Sequence, residues 1–471
     1  MKRLLPIAVD RADPRPLYRQ IYARVRSSIE SGAFSPGDRL PSARALASTL
    51  GAARGTIEEA YGLLAAEGYV VRRGPAGSVI APGLERATPT RKRVPPKPPP
   101  LLQGISILER PLPFGVGLPA FDAFPRKLWA RLVARQARAL VDTAMSYPDA
   151  RGHGPLREAI ARYLTLSRGI ACSAEQVLVT GGYQSALDLV ARVVLHAGDA
   201  VWFEEPGYYI ARRALEATLA RLVPVRVDGE GLRVAEGIAR ASDARLAVVT
   251  PAHQSPLGMS LSLARRLALL AWAADRDAWI LEDDYDGEFH YAGRPLPALK
   301  SIDREQRVLY AGSFSKVLYP GLRLGYLVVP VQLQPAFLAA SRLRDAGQAT
   351  FGQAVVACFM EEGHFVRHLK RMRALYAARR GALAEALGRV FGDRMTIELP
   401  AGGLHLLADL AGPTGDAELS RRAYEAGLSP PALSLFAATH PRRQGLLLGF
   451  TNIPESQALK LARQLAHALE G

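Results

Sequence analysis

The chain has 471 residues, of which 49% are hydrophobic and 22% charged, with a formal net charge of +16. That length predicts two or three domains, the hydrophobic content excludes a disordered chain, and the positive balance points to a polyanionic partner, nucleic acid first. Two cysteines, Cys172 and Cys358, are too few for a disulfide framework, and no apolar run reaches the roughly 18–20 residues of a membrane span. The opening MKRLLPIAVD has a basic start, but its apolar stretch ends at Asp10, too short for a signal peptide. A cytoplasmic protein with no membrane association is expected; an arginine-rich composition without a nucleic-acid partner is the alternative reading of the charge.

In chain order, the first element is a helix whose apolar residues Leu17, Ile21, Val25 and Ile29 recur every four positions as one stripe. Gly32 and Pro36 end it. A second, shorter helix begins after Pro41 with Ser42 as N-cap and runs through Leu46 and Leu50 to Gly51. A third follows the segment AARGT, with Ile57, Ala60, Tyr61 and Leu64 at helical spacing. The run YVVRRGPAGSVI then reads as strand, glycine-containing turn, strand. Short helices joined at a glycine and followed by a hairpin predict a winged helix-turn-helix within residues 1–80.

The stretch LPSARALASTLGAARGTIEEAYGLLAAEGYV resembles the DNA-binding domain of GntR-family bacterial regulators across nearly all of residues 15–80. Operator DNA is the partner this implies. Arg44, Arg54 and Thr56 fall at the second helix and the start of the recognition helix, facing phosphates and base edges, while Arg72 and Arg73 enter the wing. A solvated basic face is the alternative for these arginines, and Glu58 and Glu59 argue against the whole third helix lying on phosphate. Where the family has a serine before the arginine of this turn, the chain has Ala53.

Residues 81–104 are proline-rich and basic, with Arg91, Lys92, Arg93 and Lys97 and no apolar periodicity. They read as an extended linker, either a solvated spacer or a further contact to the DNA backbone.

From residue 105 to 471, strand-like runs (QVLVT, AVWFEEP, RLAVVTPA, WILEDDY, RVLYAGS) alternate with helical stretches. This predicts an α/β domain with a mostly parallel sheet and ligands at the C-terminal strand ends. At those ends, Gly181 and Gly182 open a helix suited to a phosphate, and Tyr208 follows a Pro-Gly turn where a ring can stack on a flat heterocycle. Asp283, Asp284 and Tyr285 close an apolar strand; surface acids or a divalent-metal site are the alternatives there. Lys316, flanked by Ser313 and Ser315 and followed by Arg323, suits a desolvated amine beside a phosphate-binding fork. Together these are the parts of a pyridoxal phosphate site rather than a metal site.

Their order resembles fold-type I aminotransferases over roughly residues 110–471. The resemblance implies Lys316 as the lysine that forms the aldimine with pyridoxal 5'-phosphate, Asp283 as partner of the ring nitrogen and Tyr285 on the 3-oxygen. It implies Tyr208 as the stacking ring, and Gly182, Tyr183, Ser313 and Arg323 around the phosphate. Tyr147, in SYPDARGHG, matches a tyrosine that reaches the neighbouring subunit's cofactor, implying a homodimer. Two departures stand out. Ser255 precedes the proline of TPAHQSPLG where aminotransferases have asparagine, with His253 or Gln254 as substitutes. The arginine that grips a substrate carboxylate falls, by spacing from Gly449, at Gln444, with Arg442 and Arg443 just upstream.

The three segments together resemble the MocR-type regulators. A transcription factor is implied, with a pyridoxal-phosphate domain that senses an amine, an amino acid or the cofactor itself, arranged as a head-to-tail dimer. The alternatives are an aminotransferase with an appended helical domain, and a DNA-binding protein whose large domain no longer binds cofactor; intact Lys316, Asp283, Tyr285 and Arg323 weigh against the latter.

Overall fold

The computed structural model describes residues 9–74, 77–83, 111–140, 145–292, 297–439 and 443–470. The chain divides into two units, Met1–Pro98 and Pro99–Gly471. Most of the expected linker, from residue 84 to 104, lies outside the described residues.

In the first unit, α1 (Leu17–Glu30), α2 (Ala43–Leu50) and α3 (Arg54–Ala66) precede β1 (Val70–Arg72) and β2 (Ser78–Ile80). Ile21, Val25 and Ile29 of the first stripe are buried, and with Leu46, Ile57, Ala60, Tyr61, Leu64 and Ile80 they form one core. Deleting a side chain such as Ile57, which is fully buried, costs about 2–5 kcal/mol. Ser42 caps α2 by accepting from the Ala45 N–H at 3.2 Å, and Gly51 ends the helix in the left-handed conformation at φ 59°. Tyr61 ties α3 to the loop before α2 by donating to the Pro41 carbonyl at 3.0 Å. β1 and β2 pair antiparallel as the wing.

One boundary differs from expectation. α3 begins at Arg54, inside AARGT, rather than after it. Glycine weakens a helix chiefly in its interior, and Gly55 sits in the first turn, where backbone N–H groups have no intrahelical partner. Ala53 is extended and supplies no side-chain cap.

The second unit is built on an eight-stranded sheet. In chain order its strands are β3 (Val177–Thr180), β4 (Ala200–Glu205), β5 (Arg221–Asp228), β6 (Gly231–Leu232), β7 (Leu246–Val249), β8 (Trp279–Asp284), β9 (Val308–Ser313) and β10 (Gly325–Val328). They lie in the order β3-β10-β9-β8-β7-β4-β5-β6. The five strand-like runs of the sequence are β3, β4, β7, β8 and β9. The last four of these form a parallel block with β5, while β10 runs antiparallel between β9 and β3. Alternate residues face opposite cores: Leu281 packs on one side of the sheet and Ile280 on the other. Burial on both faces explains why these strands read as unbroken apolar runs.

A three-stranded antiparallel sheet of β11 (Met395–Glu398), β12 (His405–Leu410) and β13 (Leu446–Gly449) completes the unit. The helix Ala458–Glu470 and the long helix His364–Phe391 share one core with it. Among the described residues, no helix is long and apolar enough to cross a membrane.

Candidate functional site

The C-terminal ends of β8 and β9, the helix start after β3 and the loop after β4 open on one cavity of about 1300 Å³. That exceeds the roughly 300–1,000 Å³ of an ordinary ligand pocket. Tyr183, Tyr208, Asp283, Tyr285, Ser313, Lys316 and Arg323 all line it.

At the end of β8 two consecutive acids separate, because neighbouring side chains on a strand point to opposite faces. Asp284 turns into the protein, paired with Arg168 and accepting from the Tyr310 hydroxyl at 2.6 Å. Its partners are complete, and its role is structural. Asp283 turns to the cavity, 6% exposed, with the Tyr183 phenol as hydrogen-bond partner. Burial first, then the nearby Asp284, Asp286 and Glu204 carboxylates, hold its carboxyl well above the ordinary range. An acid so placed favours a cationic or N–H partner from the cavity, which is what the ring nitrogen of pyridoxal phosphate offers. Among the described residues, no group of three or more His, Cys, Asp or Glu is arranged to hold a metal ion.

Lys316 follows β9 and donates to the Gly117 carbonyl at 2.9 Å. Burial lowers its pKa; Asp283 and Asp286 act against the shift, and Arg323 adds to it. A lowered pKa puts more of the amine in the nucleophilic form. Gly117, absent from the sequence reading, has φ +71°, and a Cβ there would lie 2.6 Å from Nζ. Two glycines in GVGLP were its only sequence signal.

The phosphate end is assembled by backbone approach. Gly182 precedes the helix Tyr183–Val194 with φ 101°, and a Cβ on it would lie 3.4 Å from the Arg323 guanidinium. Arg323 holds the left-handed conformation at φ 49°, which costs a non-glycine residue about 1–3 kcal/mol and is characteristic of functional sites. Its guanidinium, the helix N–H groups and the Ser313 hydroxyl are the donors that an anion cradle needs. The phenol of Tyr183 goes to Asp283, so only its backbone faces the cradle. The rings of Tyr208 and Tyr183 stand 6.4 Å apart, tilted by 47°.

Tyr285 has three polar neighbours on the protein side. His253 Nδ1 lies 2.9 Å from its hydroxyl, and Ser255 and Asp286 are close enough to act on its ionisation. Ser255 lines the cavity at the asparagine position. Gln254 is buried and donates to Glu204 and to the Pro206 carbonyl, a structural use. His253 sits behind Tyr285 with its side chain 5% exposed, so it is not a direct effector contact in this structure.

The effector side departs from the spacing argument. Arg443 is held by Asp409 at 2.6 Å and Glu398 at 2.7 Å, and Gln444 accepts from the Asp416 N–H at 3.2 Å. The residue of this segment that lines the cavity is Leu447, because strand alternation from Leu446 sends every second side chain that way. Arg442 lies outside the described residues. Tyr147 is 89% exposed and does not line this chain's own cavity.

On the winged helix, Arg44, Arg54, Arg72 and Arg73 are exposed and Thr56 is half-buried. Arg54 pairs with Glu58 at 2.8 Å, and Arg72 donates to the Glu58 carbonyl at 2.8 Å. Glu58 therefore links recognition helix and wing.

Residues 17–80 match the model of bacterial regulatory proteins of the gntR family, and residues 111–429 match that of aminotransferase class I and II. The chain is 38% identical to the probable rhizopine catabolism regulatory protein MocR of Rhizobium meliloti, over 95% of this chain and 92% of that one. It is 31% identical to the pyridoxine biosynthesis transcriptional regulator PdxR of Corynebacterium glutamicum, over 99% and 98%. Among solved structures, the α-aminoadipate aminotransferase LysN of Thermus thermophilus, complexed with N-(5'-phosphopyridoxyl)-L-leucine, superposes with a TM-score of 0.70 at 30% identity. That match covers 79% of this chain and 93% of that one.

Proposed function

Since the chain belongs to the MocR-type subfamily of GntR-family transcriptional regulators, with pyridoxal 5'-phosphate as cofactor of its aminotransferase-like domain, we propose that its cavity reports a primary amine, an amino acid or the cofactor itself to operator DNA. The observation that carries this reading is the meeting of Lys316, Asp283 and Arg323 in one cavity, each with a charge or donor not used up by other protein groups.

In this reading Asp283 holds a proton on the ring nitrogen, Tyr285 donates to the 3-oxygen, and Tyr208 covers the ring. Gly182, the Tyr183 backbone, Ser313 and Arg323 bind the phosphate. When bound, the cofactor supplies an aldehyde for which a primary amine competes with Lys316. Leu447, Leu435 and Phe436 give the effector an apolar wall. The exposure of Tyr147 supports a homodimer, arranged head to tail, in which this residue serves the partner's site. Arg44, Arg54 and Thr56, with Arg72 and Arg73 in the wing, contact the DNA, which places the protein's work in the cytoplasm. An effector shifts DNA binding only by its difference in affinity between two arrangements of the dimer.

The test is a panel of amines, amino acids and free cofactor, scored on the same full-length protein for spectral change and operator affinity. A compound that changes both supports the sensor. Steady keto-acid production with 2-oxoglutarate and no operator binding would favour an aminotransferase instead.

A further inference from the structure

Behind Tyr285 lies a buried pair that the cavity chemistry leaves unused. The side chains of His253 and Asp286 are 5% and 1% exposed. His253 Nδ1 is 2.9 Å from the Tyr285 hydroxyl and 3.1 Å from Asp286 Oδ2. One ring nitrogen thus faces two oxygens and carries at most one hydrogen. A bare Nδ1 would set its lone pair against a carboxylate oxygen in a dry site, which is repulsive, so Asp286 selects the tautomer protonated at Nδ1.

That N–H is then the donor to Tyr285. The phenol oxygen accepts it; Asp286 Oδ2 has no hydrogen-bond partner among the described residues and so does not take the phenol's own hydrogen, which is left for the cavity that Tyr285 lines. The ring is held in a slot: a Cβ on Gly403, which has φ +90°, would fall 2.0 Å from His253 Cε1. Nε2 is buried with no hydrogen-bond partner among the described residues, so nothing on that side competes for the ring's orientation.

We propose that His253, oriented by Asp286, is a positioning residue that aims the Tyr285 hydroxyl hydrogen at the oxygen the cofactor presents in the cavity. This rests on the placement of Tyr285 against the 3-oxygen proposed above. A phenol that accepts a hydrogen bond is a stronger donor, so negative charge on the 3-oxygen is stabilised. The other groups facing this pair are Asp283 and Ser255 at Tyr285, His405 and His290 at His253, and Lys316, Glu288 and Tyr291 at Asp286. Burial pushes His405 down to about 4 and lowers His290 as well, so both are neutral near pH 7 and supply no competing cation.

The experiment is a pH titration of the visible absorbance of the full-length, cofactor-loaded protein. His253→Phe raises the midpoint by about one pH unit, the tenfold effect of one hydrogen bond to a charged group. Asp286→Asn moves it the same way, and His253→Gln, whose amide N–H donates without a tautomer, restores most of the shift. Unshifted midpoints in His253→Phe and Asp286→Asn, with cofactor still bound, overturn the proposal. If His253→Phe fails to hold cofactor, an unshifted Asp286→Asn overturns it alone. A wild type that stays colourless with added cofactor overturns the cofactor placement and this proposal with it.

Discussion

The winged helix and the aminotransferase-like domain treat charge in opposite ways. Arg44, Arg54, Arg72 and Arg73 stand in water, and the pair Arg54–Glu58 is a surface contact worth about 0.2–1 kcal/mol. In the large domain, Glu204, Glu282, Asp283, Asp284 and Asp286 are buried around strand ends. A polyanion is bound by exposed cations that exchange counterions, whereas a small cofactor is bound by desolvated groups whose protonation its own charges set. Salt should therefore probe one region and pH the other.

The largest expected effect is Lys316→Ala, which abolishes the visible absorbance of bound cofactor; absorbance retained at the wild-type level would remove Lys316 from the site. Next comes the pH dependence of folding. Burial pushes Glu204 up to about 7 from an ordinary 4.5. The folded state then binds more protons than the unfolded one between these values. Its contribution to stability is present below about 4.5 and declines by on the order of 3 kcal/mol as pH rises through 7. Glu204→Gln should flatten that part of a thermal-unfolding profile, and an unaltered profile would break the contrast between the regions.

A smaller effect separates the winged helix. Arg54→Ala should weaken operator binding and reduce the slope of log affinity against log salt by about 1, without altering cofactor absorbance. An unchanged slope would mean that Glu58 keeps Arg54 off the phosphates. Smallest is Ala53→Ser, which supplies the cap α3 lacks. It should raise the stability of the winged helix by about 0.5–1 kcal/mol in chemical denaturation, with no gain if the serine finds no backbone N–H.

The elements legible in the sequence were those with one dominant local signal. The stripe from Ile21 to Ile29, the Ser42 cap with the Gly51 stop, and the doubly buried strands are examples, since periodicity and capping act within a few residues. β10 escaped because Gly325 opens it in close approach to Gly182 and Gly312, a contact set by its neighbours β3 and β9. The strand ends were legible for the same reason as the strands, whereas the roles of the residues on them came from the resemblance to aminotransferases. Gly117 and Leu447 were not legible, since each acquires its place from segments far off in the chain.

By itself the sequence determined two regions of different chemistry, a DNA-reading helix pair with a wing and an α/β domain ending in Lys316, Asp283, Tyr285 and Arg323. Composition, period and strand-end position are local, and they survive without knowledge of contacts. Only the tertiary structure decided that Asp284 turns inward to Arg168 and Tyr310. It also put Leu447 rather than Gln444 on the effector wall and His253 behind Tyr285. These outcomes depend on which face of a strand meets which neighbour, and that is settled by packing between segments remote in sequence.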